Sequence, residues 1–433
     1  MKKLSALFMF ALLSTGVFAQ GGWTFDGYFP DSTSLRVGSG GHGIACDPYG
    51  RVWIQIYSFA VDSIFNGTAW VKTGALYCFN PDGTQASFSP IKVFTGPGFV
   101  DSLVGNTGRG LKQHRDGDIL ASHFDFTQKV DYKTGQSKGV IRNMPGQSAI
   151  ANASDENGTI FTANVLPGFP IKMWDPQFSF LGNAVDSSVG FSRSFEVSAD
   201  GNTIYWAGYT NHAILKYTRS DEFSPFAVTD TVLKGFDCES FVWHPRNTNL
   251  LYASSGSNND LPNRYPDYAT YWTNKTWYGW DHVTNEIKDS ITWHDYFEGA
   301  DARPRGIAFT PSGDTAYVIA FGSASYPPVE RFVRPASSVK DLGMTATDYQ
   351  LFQNYPNPFN PTTEIKFSLK SAGFTTLKVY DVLGKEVATL VSENLGQGVY
   401  SYTFDASKLA SGTYIYEVVS DGVRLTNKML LMK

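Results

Sequence analysis

His42, Arg109, Ile150, Arg193, Glu239 and Arg305 share one place in a recurring pattern, each eight residues ahead of the Gly or Asn that closes a polar turn. Five of the six are polar or charged. The positions two residues further on are apolar at Ile44, Leu111, Phe195, Phe241 and Ile307, with Asn152 the exception. A fold that gathers these places puts three guanidiniums beside one carboxylate, a positive excess suited to an anionic or carboxylate-bearing ligand. His42 and Glu239 are also the two groups there that could move a proton while the arginines hold a substrate. As metal ligands those two are too few, so neither a metal nor another cofactor is expected.

A second set lies in two stretches, 59–73 and 257–278, that lengthen the pattern. The longer one carries Tyr265, Tyr268, Tyr271, Trp272, Trp277 and Tyr278 among Asn and Asp, with Trp280 just beyond. Aromatic rings with polar tips and few aliphatic neighbours compose surfaces that stack sugars or grip peptides. The competing reading is that they pack onto the sheet beneath. Other motifs carry no chemistry. Gly38 to Gly43 has the GxGxxG spacing but leads into a strand instead of opening a helix, and Asp155 to Gly158 lacks the first ligand of a calcium loop. HExxH, GxSxG, a P-loop and paired-cysteine zinc spacings are missing. His114 and His244 fall at equivalent turn positions and read as structural.

The elements that must position these residues are β-strands. Six segments, 42–56, 109–123, 150–164, 193–208, 239–255 and 305–320, repeat a β-run, a turn with Asp, Pro or Gly, and a second β-run. Their turn anchors, Gly50, Gly117, Gly158, Gly201, Asn247 and Gly313, are 67, 41, 43, 46 and 66 residues apart. A period near 43, with further strands at 75–80 and 213–218, suits a four-stranded propeller blade. The pattern predicts an all-β chain with a six-bladed β-propeller over 20–335, seven blades being the alternative. Residues 23–29 are expected to supply the strand missing from the last blade. In that topology the five polar residues line one mouth of the channel, and both inserts overhang it. Over most of 21–335 the pattern is loosely similar to NHL-type and lactonase-like propellers, a resemblance that transfers no catalytic residue. No one blade carries both the Gly-His and the Trp-Asp pair of WD40 repeats.

The 433 residues are 42% hydrophobic, 15% aromatic and 17% charged with a formal charge of −5, so the chain is a folded one without the basic block a nucleic acid would require. Residues 1–19 join Lys2 and Lys3 to an apolar run ending at Val17 and Ala19, which reads as a secretory signal peptide. No later stretch reaches about eighteen apolar residues, so the mature chain is expected to have no membrane span. Cys46 and Cys78 are placed on strands one removed from each other, roughly 9–10 Å apart and beyond disulfide reach.

After a linker at 336–347 the texture changes. Residues 348–433 contain NYPNPFNPTT, VYDVLGKEV with a two-residue Gly384-Lys385 loop, LASGTYIYEV with Tyr414, Tyr416 and Val418 on one face, and a terminal KMLLMK. About six short strands predict a small Ig-like β-sandwich. These four motifs, in this order, resemble the type A sorting domain of the type IX secretion system. The resemblance implies inner-membrane passage by the signal peptide, engagement of the secretion machinery as partner, and release or attachment at the outer cell surface, as in Bacteroidetes. The working part, 20–335, is expected to be a non-catalytic binding module for a glycan, peptide or surface polymer. The alternatives are a propeller-type lyase or hydrolase acting on an anionic substrate at the channel mouth, and a structural subunit of a surface layer or filament.

Overall fold

The computed structural model describes residues 22–30, 35, 40–58, 60–96, 99–142, 148–208, 210–255, 272–273, 275–294, 303–321, 329–334, 339–341 and 346–433. The expected signal peptide, and Tyr265, Tyr268 and Tyr271, lie outside them. The described residues form strands and turns without a helix, and hence without a helix able to cross a membrane.

Each predicted repeat becomes an antiparallel sheet. The first contains Gly41–Cys46, Val52–Ile56 and Leu76–Phe79, and the second runs from Gly108–Gln113 through Ile119–His123 and Thr127–Val130 to Ser137–Ile141. The third, fourth and fifth sheets begin at Ala153–Ser154, Phe195–Val197 and Phe241–Trp243, each continuing through three further strands. In the sixth, Arg303–Phe309, Thr315–Phe321 and Val329–Val333 are joined by Thr24–Tyr28, which pairs antiparallel with Val329–Val333 as residues 23–29 were expected to do.

The turns explain why these hairpins form where they do. Gly50, Gly117, Gly158, Gly201 and Gly313 close them at φ of +74°, +91°, +86°, +70° and +74°, a region that disfavours any residue with a Cβ. In the first, the Asp47 carboxylate accepts from the Tyr49 and Arg51 amides (2.9 and 3.0 Å) and from the Trp53 indole (3.0 Å), tying the turn to the strand that follows. His114 and His244 work between sheets. The Nε2 atom of each lies 3.3 Å from the turn-glycine carbonyl of the following sheet, Gly158 and Gly313 respectively.

Six apolar clusters fill the spaces between consecutive sheets. Ile119 and Leu111 meet Trp53 between the first and second, Leu120 and Ile160 meet between the second and third, and Phe195 packs with Phe161 between the third and fourth. Tyr205 packs with Leu251 between the fourth and fifth, Trp277 with Val318 between the fifth and sixth, and Ile319 with Ile44 between the sixth and first. Cys46 and Cys78 belong to clusters on opposite faces of the first sheet, and both thiols are free. Burial pushes the Cys78 thiol up to about 12.

Residues 339–431 build a separate core from two four-stranded sheets, ordered 339–341, 398–405, 362–369, 350–351 and 386–395, 373–381, 412–420, 423–431. Tyr414, Tyr416 and Val418 face that core as expected. Two expectations are corrected. Val339–Asp341, placed in a linker by sequence, pairs with Tyr400–Tyr402, so the two sheets hold eight strands among the described residues. The 381–386 connection is a four-residue loop, because the Asp381 carboxylate accepts from the Leu383 and Lys385 amides and holds an extra turn between the strands.

Asp289, on the last strand of the fifth sheet, anchors the closing strand of the sixth. It accepts from the Trp23 indole (3.0 Å), the Tyr252 hydroxyl and the Arg334 guanidinium, which lies 4.2 Å from the Trp23 ring. Asp289→Ala should lower stability by about 2–3 kcal/mol in urea unfolding, since it strands a buried hydroxyl and a guanidinium together. A pH effect follows from His123 and His244, whose pKa values burial lowers to about 3 and about 4. Between pH 6.5 and those values the unfolded chain takes up protons that the folded one refuses, so stability present above pH 6.5 is lost as pH falls. The slope is about 1.4 kcal/mol per pH unit for each histidine, and His123→Gln should flatten the urea midpoint against pH by one such share.

Candidate functional site

The places ahead of the inner strands converge. His42, Arg109, Arg193, Glu239 and Arg305 line one small cavity. Ile150 does not reach it; its neighbour Ala151 does. Arg305 pairs with Glu239, both buried, and Arg193 Nε lies 3.4 Å from the Glu239 carboxylate. Arg109 is held between the Tyr57 and Phe124 rings, 5.0 Å from each centroid. His42, 8% exposed, stacks on Tyr57 at 5.5 Å. Burial first, then Arg305, Arg193 and Arg109, keeps the His42 pKa well below 6.5, so the ring is neutral at physiological pH.

Bulges aim these side chains. Pairing shifts register between Gly41 and Gly43, around Arg109, and between Pro304 and Ile307, so His42, Arg109 and Arg305 each sit where a strand bends. Gln55 secures the second bulge by accepting from the Arg109 and Gly110 amides at 3.1 and 3.0 Å. Gly110 is required there, because a Cβ on it would lie 2.5 Å from that of Ala151 at φ +143°. The ring packs so closely that about 20 Å³ remains, room for one water.

The aromatic reading is overturned for the residues described. Trp272, Trp277 and Tyr278 are 9%, 0% and 2% exposed, and the latter two belong to Thr276–Asp281, a strand covered on both faces. The Trp277 indole donates to the Arg305 carbonyl at 3.2 Å, so it braces the ring from behind and offers no stacking face. The shorter insert forms a hairpin, Asp62–Phe65 with Trp70–Thr73, that leans on its own sheet through a 2.9 Å Asp62–Lys92 ion pair. None of its described residues lines the ring cavity.

A larger space opens where the turns lie. It measures about 770 Å³ and was not anticipated from sequence. Its floor is the buried Lys112–Glu196 ion pair, with Lys112 also donating to the Phe241 carbonyl. Burial raises the Glu196 pKa, and Lys112 opposes the rise. One wall is the half-buried Trp243, whose indole is fixed on the Val197 carbonyl at 2.9 Å and whose ring stands edge-on to Tyr205 and His282 at 5.8 and 5.3 Å. The Tyr205 hydroxyl and His282 Nδ1 are 2.9 Å apart. Gln113, Glu156, Asp200, Lys216, Thr248 and Asn249 stand around it. The signal was present in the sequence. Five residues before each turn anchor stand Ala45, Lys112, Ala153, Glu196, Val242 and Ala308, a lone cation and a lone anion among small residues. Among the described residues no cluster of three His, Cys, Asp or Glu could hold a metal ion.

No curated protein sequence matches the chain. Solved structures it is similar to include a protein of unknown function from Bacteroides caccae, at 10% identity over 56% of this chain and 78% of that one with a TM-score of 0.39. Another is Raptor from Chaetomium thermophilum, at 9% identity over 69% of this chain and 28% of that one, with a TM-score of 0.45. Both likenesses are too distant to assign a fold or a ligand. The C-terminal sandwich is a different matter: residues 353–432 match the family model of the secretion system C-terminal sorting domain, so this region is a type IX sorting domain that directs the protein to the outer cell surface or into the medium.

Proposed function

We propose that the exported region is a six-bladed propeller serving as a binding protein, and that it takes a neutral saccharide at the wide mouth. The blade reading is supported by the six clusters between consecutive sheets, the last against the first, and by Thr24–Tyr28 completing the sixth sheet. The observation that carries the ligand reading is the 770 Å³ cavity walled by Trp243. Its size suits a small ligand. Its wall is a rigid indole with the N–H already engaged, leaving an apolar face for the C–H side of a pyranose. Around that face the rim mixes carboxylates, amides, a hydroxyl and Lys216, which serve the alternating donors and acceptors of sugar hydroxyls. Five carboxylates face three cations across the cavity, which disfavours an anionic ligand. The ring mouth suits a ligand less well. Its room is a single water's, and Glu239, offered by sequence as a proton-transfer group, is engaged by Arg305 and Arg193.

On a glycan array the exported protein should retain neutral saccharides, and Trp243→Ala should weaken the best of them about tenfold or more, a loss of about 1.4 kcal/mol. Glu156→Gln, on an exposed side chain, should weaken binding with the melting temperature unchanged. Retention of no glycan, or equal retention by both variants, would sink the ligand reading. Removing 348–433 should leave the protein in the periplasm, as fractionation and immunoblotting would show.

A further inference from the structure

The hairpin Asp62–Phe65 with Trp70–Thr73 displays two large aromatic side chains that pack into no core. Phe65 and Trp70 stand directly opposite each other across it, 57% and 73% exposed, with ring centroids 5.9 Å apart and planes at 57°. The display is rigid. At the tip the Asn66 carboxamide oxygen accepts from the Thr68 amide (3.0 Å), the Thr68 hydroxyl (2.9 Å) and the Ala69 amide (2.9 Å), and at the base Lys92 bonds the Ser63 carbonyl at 3.2 Å besides its ion pair with Asp62. Rings held this way lose little freedom when a ligand stacks on them.

Phe65 and Trp70 border a space of about 480 Å³, within the range of roughly 300–1,000 Å³ typical of small-ligand sites. Its other side comes from the second sheet, at the turn Thr134–Gln136. There the Asp131 carboxylate accepts from the Lys133 and Thr134 amides (2.8 and 2.9 Å) and the Thr134 hydroxyl (3.1 Å), so this wall is fixed too. Gly135, at φ +73°, lets the turn sit on Phe88, whose ring would lie 2.6 Å from a Cβ.

We infer that this space is a second carbohydrate site, taking a neutral polysaccharide chain across the Trp70 and Phe65 rings. Three features select that ligand. The two exposed rings offer apolar faces for the C–H sides of successive sugar units, and Ser63, Thr95 and Gln136 bring hydroxyls and an amide for sugar hydroxyls. Among the described residues lining the space Lys92 alone is charged, and Asp62 compensates it, so an ionic ligand finds no counter-charge. An extended peptide would need free main-chain groups for strand addition, but Ile91 exchanges both its bonds with Leu76, the Lys92 carbonyl accepts from Leu103, and Val93–Gly96 is paired with Phe99–Ser102. The inference goes beyond the reading of the cavity at Trp243 and does not depend on it.

The test is native electrophoresis of the exported full chain through gels containing dextran, amylopectin, mixed-linkage β-glucan, galactomannan or arabinoxylan. At least one polysaccharide should retard the protein, and Trp70→Ala should weaken that retardation about tenfold with the melting temperature unchanged. Loss in Trp70→Ala with Trp243→Ala unaffected would uphold this site and remove the one at Trp243. Loss in Trp243→Ala with Trp70→Ala unaffected would overturn this site and leave the other standing. Retardation by none of the five, or Trp70-dependent capture of a proline-rich peptide in their place, would also overturn it. If Trp70→Ala does not fold, Gln136→Ala on the opposite wall decides by the same criterion.

Discussion

Each of the six larger sheets between residues 24 and 333 packs apolar side chains on both faces, and that condition shapes the rest of the molecule. Trp53 and Val52 are neighbours on one strand yet bury their side chains in different clusters, one toward the second sheet and one toward the sixth. Such a sheet cannot face water on either side, so it must be covered by its predecessor and its successor. Crowding is greatest at the inner ends. Gly43, Gly110 and Ala151 are small there because the backbones approach within van der Waals contact. The same crowding brings the polar residues ahead of five of these strands to one cavity.

The buried charges divide into two groups with different consequences. In one, Glu239 lies between Arg305 and Arg193, with His42 kept neutral first by its burial and then by the cations around it. In the other, Lys112 and Glu196 reach across from different sheets and floor a larger space bounded by Trp243. One set of charged side chains is tightly packed while the other borders open space, a difference set by packing and not by residue type alone. Bulges place His42, Arg109 and Arg305, whereas the strands that follow Arg193 and Glu239 pair without a register shift.

The sorting domain solves its own packing problem. Its core, from Phe359 to Leu431, involves none of the residues that fill the spaces between the six sheets. The alternation in Val423–Leu431 puts Met429 and Leu431 inward and charged Arg424 and Lys428 outward, as a two-layer sandwich requires. Asn354, in the Pro/Asn cluster, is buried and bonds the Pro356 carbonyl and the Thr363 hydroxyl, so this motif is a structural clasp as well as a family signature.

Local pattern was enough to read the all-β class, the turn glycines, the strand that completes the sixth sheet, the inward face at Tyr414, Tyr416 and Val418, and the export address. These depend on nearest neighbours, on period-two alternation and on motifs contiguous in the chain. Local pattern also named the five ring residues, because equivalent places in a repeat are brought together by any arrangement that repeats in space. It misjudged Trp272, Trp277 and Tyr278, since an aromatic run looks the same in a loop and in a strand buried on both faces. It passed over Lys112, Glu196 and Trp243 because their importance lies in who stands opposite. Residues 84 places apart in sequence form that ion pair, and only tertiary packing sets the space left at each mouth.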